Sequence, residues 1–225
     1  MTICSVMSES CPLCAQPAPF ALEAYDRPFY SCTQCDLIFV PQHLHLKIDE
    51  QVARYAMHEN TLENKGYVAR FERLIDVMKT YVPPARRVLD YGCGPGPVLV
   101  EMLRQAGYEA DGYDPHFAPQ ADLSVPFDAI LSTETFEHFS LPGEEIRRVC
   151  AHLRPQGYLI VMTEFHRGLA HFAKWHYPRD PTHVAFYAQR TLDHIARQYN
   201  LALRFTDQRN TAVFQRNSAD SAIPR

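Results

Sequence analysis

The sequence lacks both long apolar runs and runs of basic residues. No stretch approaches the roughly 18 uninterrupted apolar residues that a membrane-spanning helix requires. Residues 1–10 have neither the basic start nor the apolar core of a signal peptide, so we expect a cytoplasmic protein with no membrane partner. The net charge of −4 offers a phosphate backbone no general attraction. We therefore expect a small-molecule partner rather than a nucleic acid.

Internal repeats and low-complexity tracts are also missing, which leaves an ordinary globular fold. The 46% of hydrophobic and 21% of charged residues are typical of that class. The 225 residues suffice for one full α/β domain and a small appendage.

Four of the seven cysteines form two Cys-x-x-Cys pairs. Cys11 and Cys14 make the first pair, and Cys32 and Cys35 make the second, with seventeen residues between the pairs. Two such knuckles offer four thiolates to a tetrahedral zinc ion, and their separation lies within the roughly 15 to 20 residues of zinc ribbons. Because all four positions are cysteine, no coordination site stays open. The pattern predicts a structural zinc.

Beyond the cysteine pairs, the hydrophobic pattern alternates between helices and strands. Apolar residues at three- and four-residue steps predict a helix over 61–82, which Pro83 ends. The other predicted elements are strands at 87–91, 109–113, 127–132, 157–163, 201–206 and 211–215, and helices at 97–106, 143–153 and 189–199. Such alternation predicts a mainly parallel sheet covered on both faces. We divide the chain into a ribbon with its linker, 1–46, and a larger domain, 47–225.

The first strand of the larger domain ends in a glycine-rich turn that opens a helix. Gly92, Gly94 and Gly96 let the backbone approach a ligand where a Cβ atom would collide. Open α/β sheets bind their ligands at this edge, beyond the carboxyl ends of the strands. The spacing Gly-x-Gly-x-Gly after Asp90 differs from the dinucleotide pattern Gly-x-Gly-x-x-Gly, which disfavours a nicotinamide oxidoreductase. Asp114 closes the second strand, where a carboxylate can accept both hydroxyls of a ribose.

These motifs resemble those of the class I S-adenosylmethionine (SAM)-dependent methyltransferases, whose first motif is (D/E)-x-G-x-G-x-G and whose second strand ends in an acid. The resemblance runs from about Tyr55 to Gln215. Residues 127–138, Phe-Asp-Ala-Ile-Leu-Ser-Thr-Glu-Thr-Phe-Glu-His, are similar to the family's fourth-strand motif, and 153–157 to its turn into strand five. Residues 175–187 are similar to a segment in a subset of small methyltransferases, some of which carry cysteine-pair ribbons before the catalytic domain.

The resemblance implies an α/β, Rossmann-like, doubly wound, mainly parallel sheet of seven strands with a C-terminal antiparallel hairpin, next to the ribbon. It also implies SAM as the cofactor. The expected cofactor-binding residues are Asp90, Gly92, Cys93, Gly94, Gly96, Asp114 and Pro115. Asp90 and the turn would contact the methionine part of SAM, and Asp114 the ribose. The chain departs from the family between Asp114 and Phe127, where few residues remain for the third strand and its helix.

Methyl transfer from a sulfonium is an in-line displacement, so the protein mainly aims the acceptor atom and excludes water. A general base helps when the acceptor is a hydroxyl or an acidic carbon, and histidine titrates in the right range. His138, after the fourth strand, and His183, after the fifth, are the candidate catalytic residues. Each is equally compatible with a histidine that is merely bonded to backbone.

The predicted function is transfer of the SAM methyl group to an oxygen, nitrogen or carbon of a small molecule such as a sugar nucleotide, a natural product or a quinone-like compound. Two alternatives stay open. One is a catalytically silent SAM-binding module that recruits a protein or RNA through its ribbon, and the other is a methyltransferase of ribosomal RNA.

Overall fold

The structure, a computed structural model, describes residues 8–57 and 61–218. The N-terminal strands are β1 (Ser8–Ser10), β2 (Pro17–Ala24), β3 (Arg27–Ser31) and β4 (Ile38–Phe39). There follow α1 (Ile48–Tyr55), α2 (Lys65–Tyr81), β5 (Arg87–Tyr91), α3 (Val98–Gln105), β6 (Glu109–Tyr113), β7 (Phe127–Thr133), α4 (Pro142–Ala151) and β8 (Leu153–Met162). The last elements are α5 (Leu169–Phe172), β9 (Ala185–Phe186), α6 (Gln189–Gln198), β10 (Leu201–Thr206) and β11 (Thr211–Arg216).

The larger sheet has the strand order β10-β11-β8-β7-β5-β6. Strands β6, β5, β7 and β8 are parallel, whereas β11 and β10 run antiparallel as a terminal hairpin. This confirms the mainly parallel α/β sheet with its hairpin. The described sheet has six strands instead of the expected seven, because the short stretch between Asp114 and Phe127 forms only an isolated bridge from Asp114 to Ala118.

Helices cover both faces of this sheet. Along β5, Val88 belongs to one apolar cluster and Leu89 to another, as the alternation of side chains in a strand requires. The cluster with Val88 contains the buried residues of α2 and α3, and the cluster with Leu89 contains those of α4 and α6. The predicted amphipathic helix is therefore confirmed as α2, whose buried stripe is Phe71, Leu74, Ile75 and Met78.

The ribbon forms a second sheet with the order β1-β2-β3-β4-β9. Its last strand comes from the far end of the chain, since Ile38 pairs with Phe186 and Phe39 with Ala185. Strand β4 lies within the range 1–46 that we assigned to the ribbon and its linker. The cysteine side chains also belong to the apolar cluster that contains α4 and α6, so the ribbon packs directly on the larger sheet.

The parallel strands all end at one edge of the sheet, and the loops after β5, β6, β7 and β8 meet there. In the described ranges no helix combines the length and the apolar character needed to cross a membrane.

Candidate active site and cysteine cluster

The glycine-rich turn joins β5 to α3 at the carboxyl edge of the sheet. Gly92 has φ of 86° and Gly94 has φ of 64°, a region that favours glycine. A Cβ atom on Gly92 would lie 2.4 Å from the side chain of Thr135 in the loop after β7. The backbone nitrogen of Gly92 donates to the carbonyl of Tyr113, at the end of β6, over 2.7 Å. The turn is thus held closely against the ends of β6 and β7.

The carboxylate of Asp114 lies beside this turn. One of its oxygens accepts a hydrogen bond of 3.2 Å from the backbone nitrogen of Gly94. The other accepts from the backbone nitrogens of His116 and Phe117, at 2.9 and 3.1 Å. Pro115 separates Asp114 from His116 and is exposed. These bonds fix the carboxylate at the mouth of the turn.

Asp90 is almost fully buried one strand away from Asp114. Its side chain is 3% exposed, and its Oδ1 has no hydrogen-bond partner. Burial, together with the negative charge of Asp114, raises the pKa of Asp90 from 3.8 to about 7. A buried oxygen without a donor is costly, so this position suits a ligand that carries a positive N–H group.

Helix α2 contributes two side chains to the same region. Arg70 forms an ion pair of 3.4 Å with Glu134, the first residue after β7, whose φ is 49°. Tyr67 is the other residue: burial raises the pKa of its phenol, and the charge of Asp90 raises it further. The sequence analysis missed both α2 residues, because a helix pattern does not show which polar residues face a pocket.

Beyond β7 and β8, three glutamates gather around the phenol of Tyr177. The phenol donates to Oε1 of Glu137 over 2.5 Å and lies 3.5 Å from Oε2 of Glu134. Trp175 donates its indole N–H to Glu164 over 3.0 Å. Burial raises the pKa of Glu134 and Glu137 above the usual range. Glu134 and Trp175 therefore line this polar region, whereas Tyr187 is fully buried and donates to the backbone carbonyl of Phe136.

The two candidate histidines lie close to each other and to Glu137. The rings of His138 and His183 lie 4.9 Å apart between centroids. Nδ1 of His138 is 3.0 Å from the carbonyl oxygen of Thr182, and Nδ1 of His183 is 2.8 Å from that of Tyr177. Burial lowers the pKa of His138 to about 4 and, with the nearby His138, that of His183 to about 3. Both rings are neutral at neutral pH.

Helix α1 covers this region from outside. The ring of Tyr55 lies 5.0 Å from that of His138. Arg54 donates two hydrogen bonds of 2.9 and 3.1 Å to the carboxylate of Asp180, in the segment that carries His183. No signal in the sequence pointed to α1 or to this pair.

The side chains of the four paired cysteines converge within the ribbon. Their sulfur atoms all lie within 4.8 Å of one another. Sγ of Cys14 is 3.5 Å from that of Cys32 and 3.6 Å from that of Cys35, and Sγ of Cys11 is 3.6 Å from that of Cys35. Sulfur ligands at about 2.3 Å from a tetrahedral zinc are separated by about 3.8 Å. The cluster therefore has the dimensions of a Cys₄ site.

The family model for a methyltransferase domain matches residues 58–204. The chain belongs to this methyltransferase family. The matched stretch of the methyltransferase includes the glycine-rich turn, Asp114, His138 and His183.

Two curated proteins are similar to part of the chain. The chain is 32% identical to a ubiquinone biosynthesis O-methyltransferase of Caulobacter sp. (strain K31), over 34% of this chain and 40% of that protein. A protein of the same name from Bradyrhizobium diazoefficiens is 32% identical over 34% of this chain and 39% of its own length. The chain thus spans about two fifths of the length of each curated relative.

Among solved structures, the fold is similar to that of an O-methyltransferase family protein from Burkholderia thailandensis. The TM-score is 0.50 and the identity 16%, over 76% of this chain and 64% of that one. The shared feature is the fold.

Proposed function

We propose that this protein binds SAM at the glycine-rich turn and transfers its methyl group to a small-molecule acceptor. The orphaned Oδ1 of Asp90 beside the turn carries this proposal, because the α-ammonium of SAM supplies the donor that the oxygen lacks. The ribose hydroxyls would bind the carboxylate of Asp114, which is already oriented by three backbone nitrogens. Cys93, Pro115 and the glycines of the turn would line the cofactor with backbone atoms.

When bound, SAM supplies an electrophilic methyl group on a sulfonium, and the chain's residues supply orientation and shielding. The acceptor would lie beyond β7 and β8, where His138, His183 and Tyr177 gather. In this proposal His183 orients or deprotonates the acceptor atom, and His138 lies beside it in the same acceptor site. Tyr55 on α1 shields this side from water.

We assign the acceptor to small molecules, with a hydroxyl oxygen as the preferred atom. Two curated relatives that match part of the chain are named O-methyltransferases of ubiquinone biosynthesis. A cluster of buried glutamates next to the histidines suits a neutral or hydrogen-bonding acceptor better than a polyanion. This argues against ribosomal RNA.

We further propose that Cys11, Cys14, Cys32 and Cys35 hold one structural zinc ion. The support is the distance between their sulfurs, which matches a tetrahedral thiolate site. In this proposal the ribbon of 1–46 folds around the metal, and the domain of 47–225 carries the methyl-transfer site. The ribbon also supports the proposed acceptor site, because β4 pairs with β9.

One experiment tests the proposed function directly. Purified protein is titrated with S-adenosylhomocysteine in a calorimeter and separately added, with SAM, to a cell extract whose metabolites are then measured by mass spectrometry. Tight binding and one methylated metabolite, heavier by a net CH₂, are expected. If S-adenosylhomocysteine does not bind, or if NADH binds in a parallel titration in its place, the proposal is wrong.

A further inference from the structure

Three potential metal ligands lie close together at the proposed acceptor site. Glu137, His138 and His183 each offer one ligand atom, and these atoms lie within 4.8 Å of one another. Glu137 and His138 belong to a short 3₁₀ turn after β7, whereas His183 lies in the segment between β8 and β9. The sequence separates these residues, and the fold brings them together.

The hydrogen bonds of the two imidazoles leave the same nitrogen free on each ring. Because a backbone carbonyl can only accept, the nitrogen that faces it carries the proton. Nδ1 of His138 faces the carbonyl of Thr182, and Nδ1 of His183 faces that of Tyr177. Each Nε2 therefore keeps its lone pair. Histidine ligands of metals are held in this way, with the second ring nitrogen bonded to a carbonyl or carboxylate.

The carboxylate of Glu137 also has an unfilled position. Its side chain is fully buried, and Oε1 accepts the phenol of Tyr177. Oε2 is buried with no hydrogen-bond partner. Nε2 of His138 lies 4.0 Å from Oε1 of the same carboxylate. An uncompensated buried oxygen is costly, and a cation bound by this carboxylate would offset the cost.

We propose that Glu137, His138 and His183 bind one divalent transition-metal ion, separate from the ion at the cysteine cluster. Two neutral imidazoles and one carboxylate are a donor set for Zn²⁺, Fe²⁺ or Mn²⁺, whereas Mg²⁺ and Ca²⁺ prefer oxygen ligands alone. Three protein ligands leave coordination positions open for water or another oxygen. The side chains need to approach one another by less than about 2 Å to reach ordinary ligand distances.

The use of this ion rests on the proposed function. An acceptor hydroxyl bound at an open position would lose its proton more easily, because a metal lowers the pKa of the oxygen that it binds. In this arrangement the histidines orient the acceptor through the metal, and the proton released from the hydroxyl passes to solvent water.

The test titrates cobalt(II) into protein whose cysteine cluster is already saturated with zinc. We expect one further cobalt per chain, with visible d–d bands of nitrogen and oxygen ligation and no new thiolate charge-transfer band. His183→Ala and Glu137→Gln should each weaken this binding at least about tenfold. Gln keeps the acceptor for the Tyr177 phenol and preserves the packing. The matched control is His176→Ala, whose side chain is 69% exposed, and it should bind cobalt as the wild type does.

Absence of a cobalt ion beyond the ribbon, or equal affinity in wild type and His183→Ala, would overturn the metal site. Zinc content and the thermal unfolding midpoint of each variant report whether it is folded. Calorimetry with S-adenosylhomocysteine on the same samples tests the methyltransferase proposal by itself. Cobalt binding without binding of that ligand would count against the cofactor site and leave the metal site standing.

Discussion

The guanidinium of Arg27 donates a hydrogen bond of 3.1 Å from Nη1 to the carbonyl oxygen of His183. Arg27 belongs to the ribbon strand β3, and it also donates to the carbonyls of Pro178, Asp180 and Pro181. One ribbon side chain thus binds four backbone carbonyls of the turn that carries His183. Arg27 therefore connects the ribbon to the part of the site in which we propose that the acceptor binds.

Replacing Arg27 by lysine should disturb the acceptor side and spare the cofactor side. A single ammonium cannot reach four carbonyls that a planar guanidinium bridges, so buried acceptors lose their donors. We expect unfolding free energy to fall by about 1 to 3 kcal/mol and acceptor turnover to fall, with unchanged affinity for S-adenosylhomocysteine. Arg86→Lys is the control, since its side chain is 83% exposed. An unaltered turnover in Arg27→Lys would contradict the coupling.

The cysteine cluster predicts a defined metal content. Wild-type protein should contain about one more zinc per chain than the double variant Cys32→Ser with Cys35→Ser, because that variant loses half of the tetrahedral ligand set. Elemental analysis after gel filtration measures the difference. Cys150→Ala removes a buried thiol outside the cluster and should keep the zinc. Equal zinc in wild type and double variant would refute the site.

Asp114→Ala should weaken binding of SAM by roughly 1.5 to 3 kcal/mol, through loss of the charge-assisted hydrogen bonds to the ribose. Calorimetry on both proteins measures the change. Asp122→Ala is the control, since the carboxylate of Asp122 is exposed and accepts from the backbone nitrogen and the hydroxyl of Ser124. If the two variants bind equally well, the ribose lies elsewhere.

Binding of SAM should depend on pH through Asp90. The carboxyl titrates near pH 7 in the free folded protein instead of at 3.8, so it is largely protonated at pH 6. The ammonium of SAM favours the carboxylate form, and binding therefore releases a proton. We expect affinity to rise between pH 6 and 8 by up to about tenfold per unit at the acid end. Asp90→Asn should flatten the profile.

The same group affects stability with a definite sign. Since the folded pKa is raised, the folded chain holds a proton that the unfolded chain has released between pH 4 and 7. The free energy of unfolding should therefore decrease as the pH rises through this window and then level off. Denaturant titrations at several pH values measure it. A wild-type curve that parallels the Asp90→Asn curve would show that Asp90 has an ordinary pKa.

His183→Ala should lower the methyl-transfer rate about 10²- to 10⁴-fold once an acceptor is known, with nearly unchanged affinity for SAM. His138→Ala is the matched comparison, because both rings are held through Nδ1 by backbone carbonyls. Single-turnover kinetics separates the chemical step from binding. Full turnover in His183→Ala would reduce this residue to a structural role.

The sequence analysis predicted the regular elements well where a strong local pattern exists. Strands at 87–91 and 109–113 match β5 and β6 to the residue. For β5 the signal is local, because the buried Val88 and Leu89 precede the glycine-rich turn that ends the strand. Helix α2 begins at Lys65, inside the predicted 61–82, because the side chain of Asn64 caps it by accepting from the backbone nitrogen of Tyr67. Such caps shift helix ends by a few residues.

Contacts between distant segments could not be predicted in the same way. The histidines at 166, 171, 176 and 183 follow no compact ligand spacing, and the structure instead groups His183 with Glu137 and His138. Strand β9 has only two residues, too few for a periodic pattern. The role of Arg27 depends on carbonyls about 150 positions away, and no local rule connects them.

The pairing of β4 with β9 also imposes an order on folding during synthesis of the chain. Residues 38–39 leave the ribosome long before residues 185–186, and at about 5 to 20 residues per second the delay is on the order of ten seconds. During this interval β4 is an open sheet edge, a surface that invites pairing with other chains. The ribbon thus completes its sheet only near the end of translation, and any chain truncated before residue 185 is released with that edge uncovered.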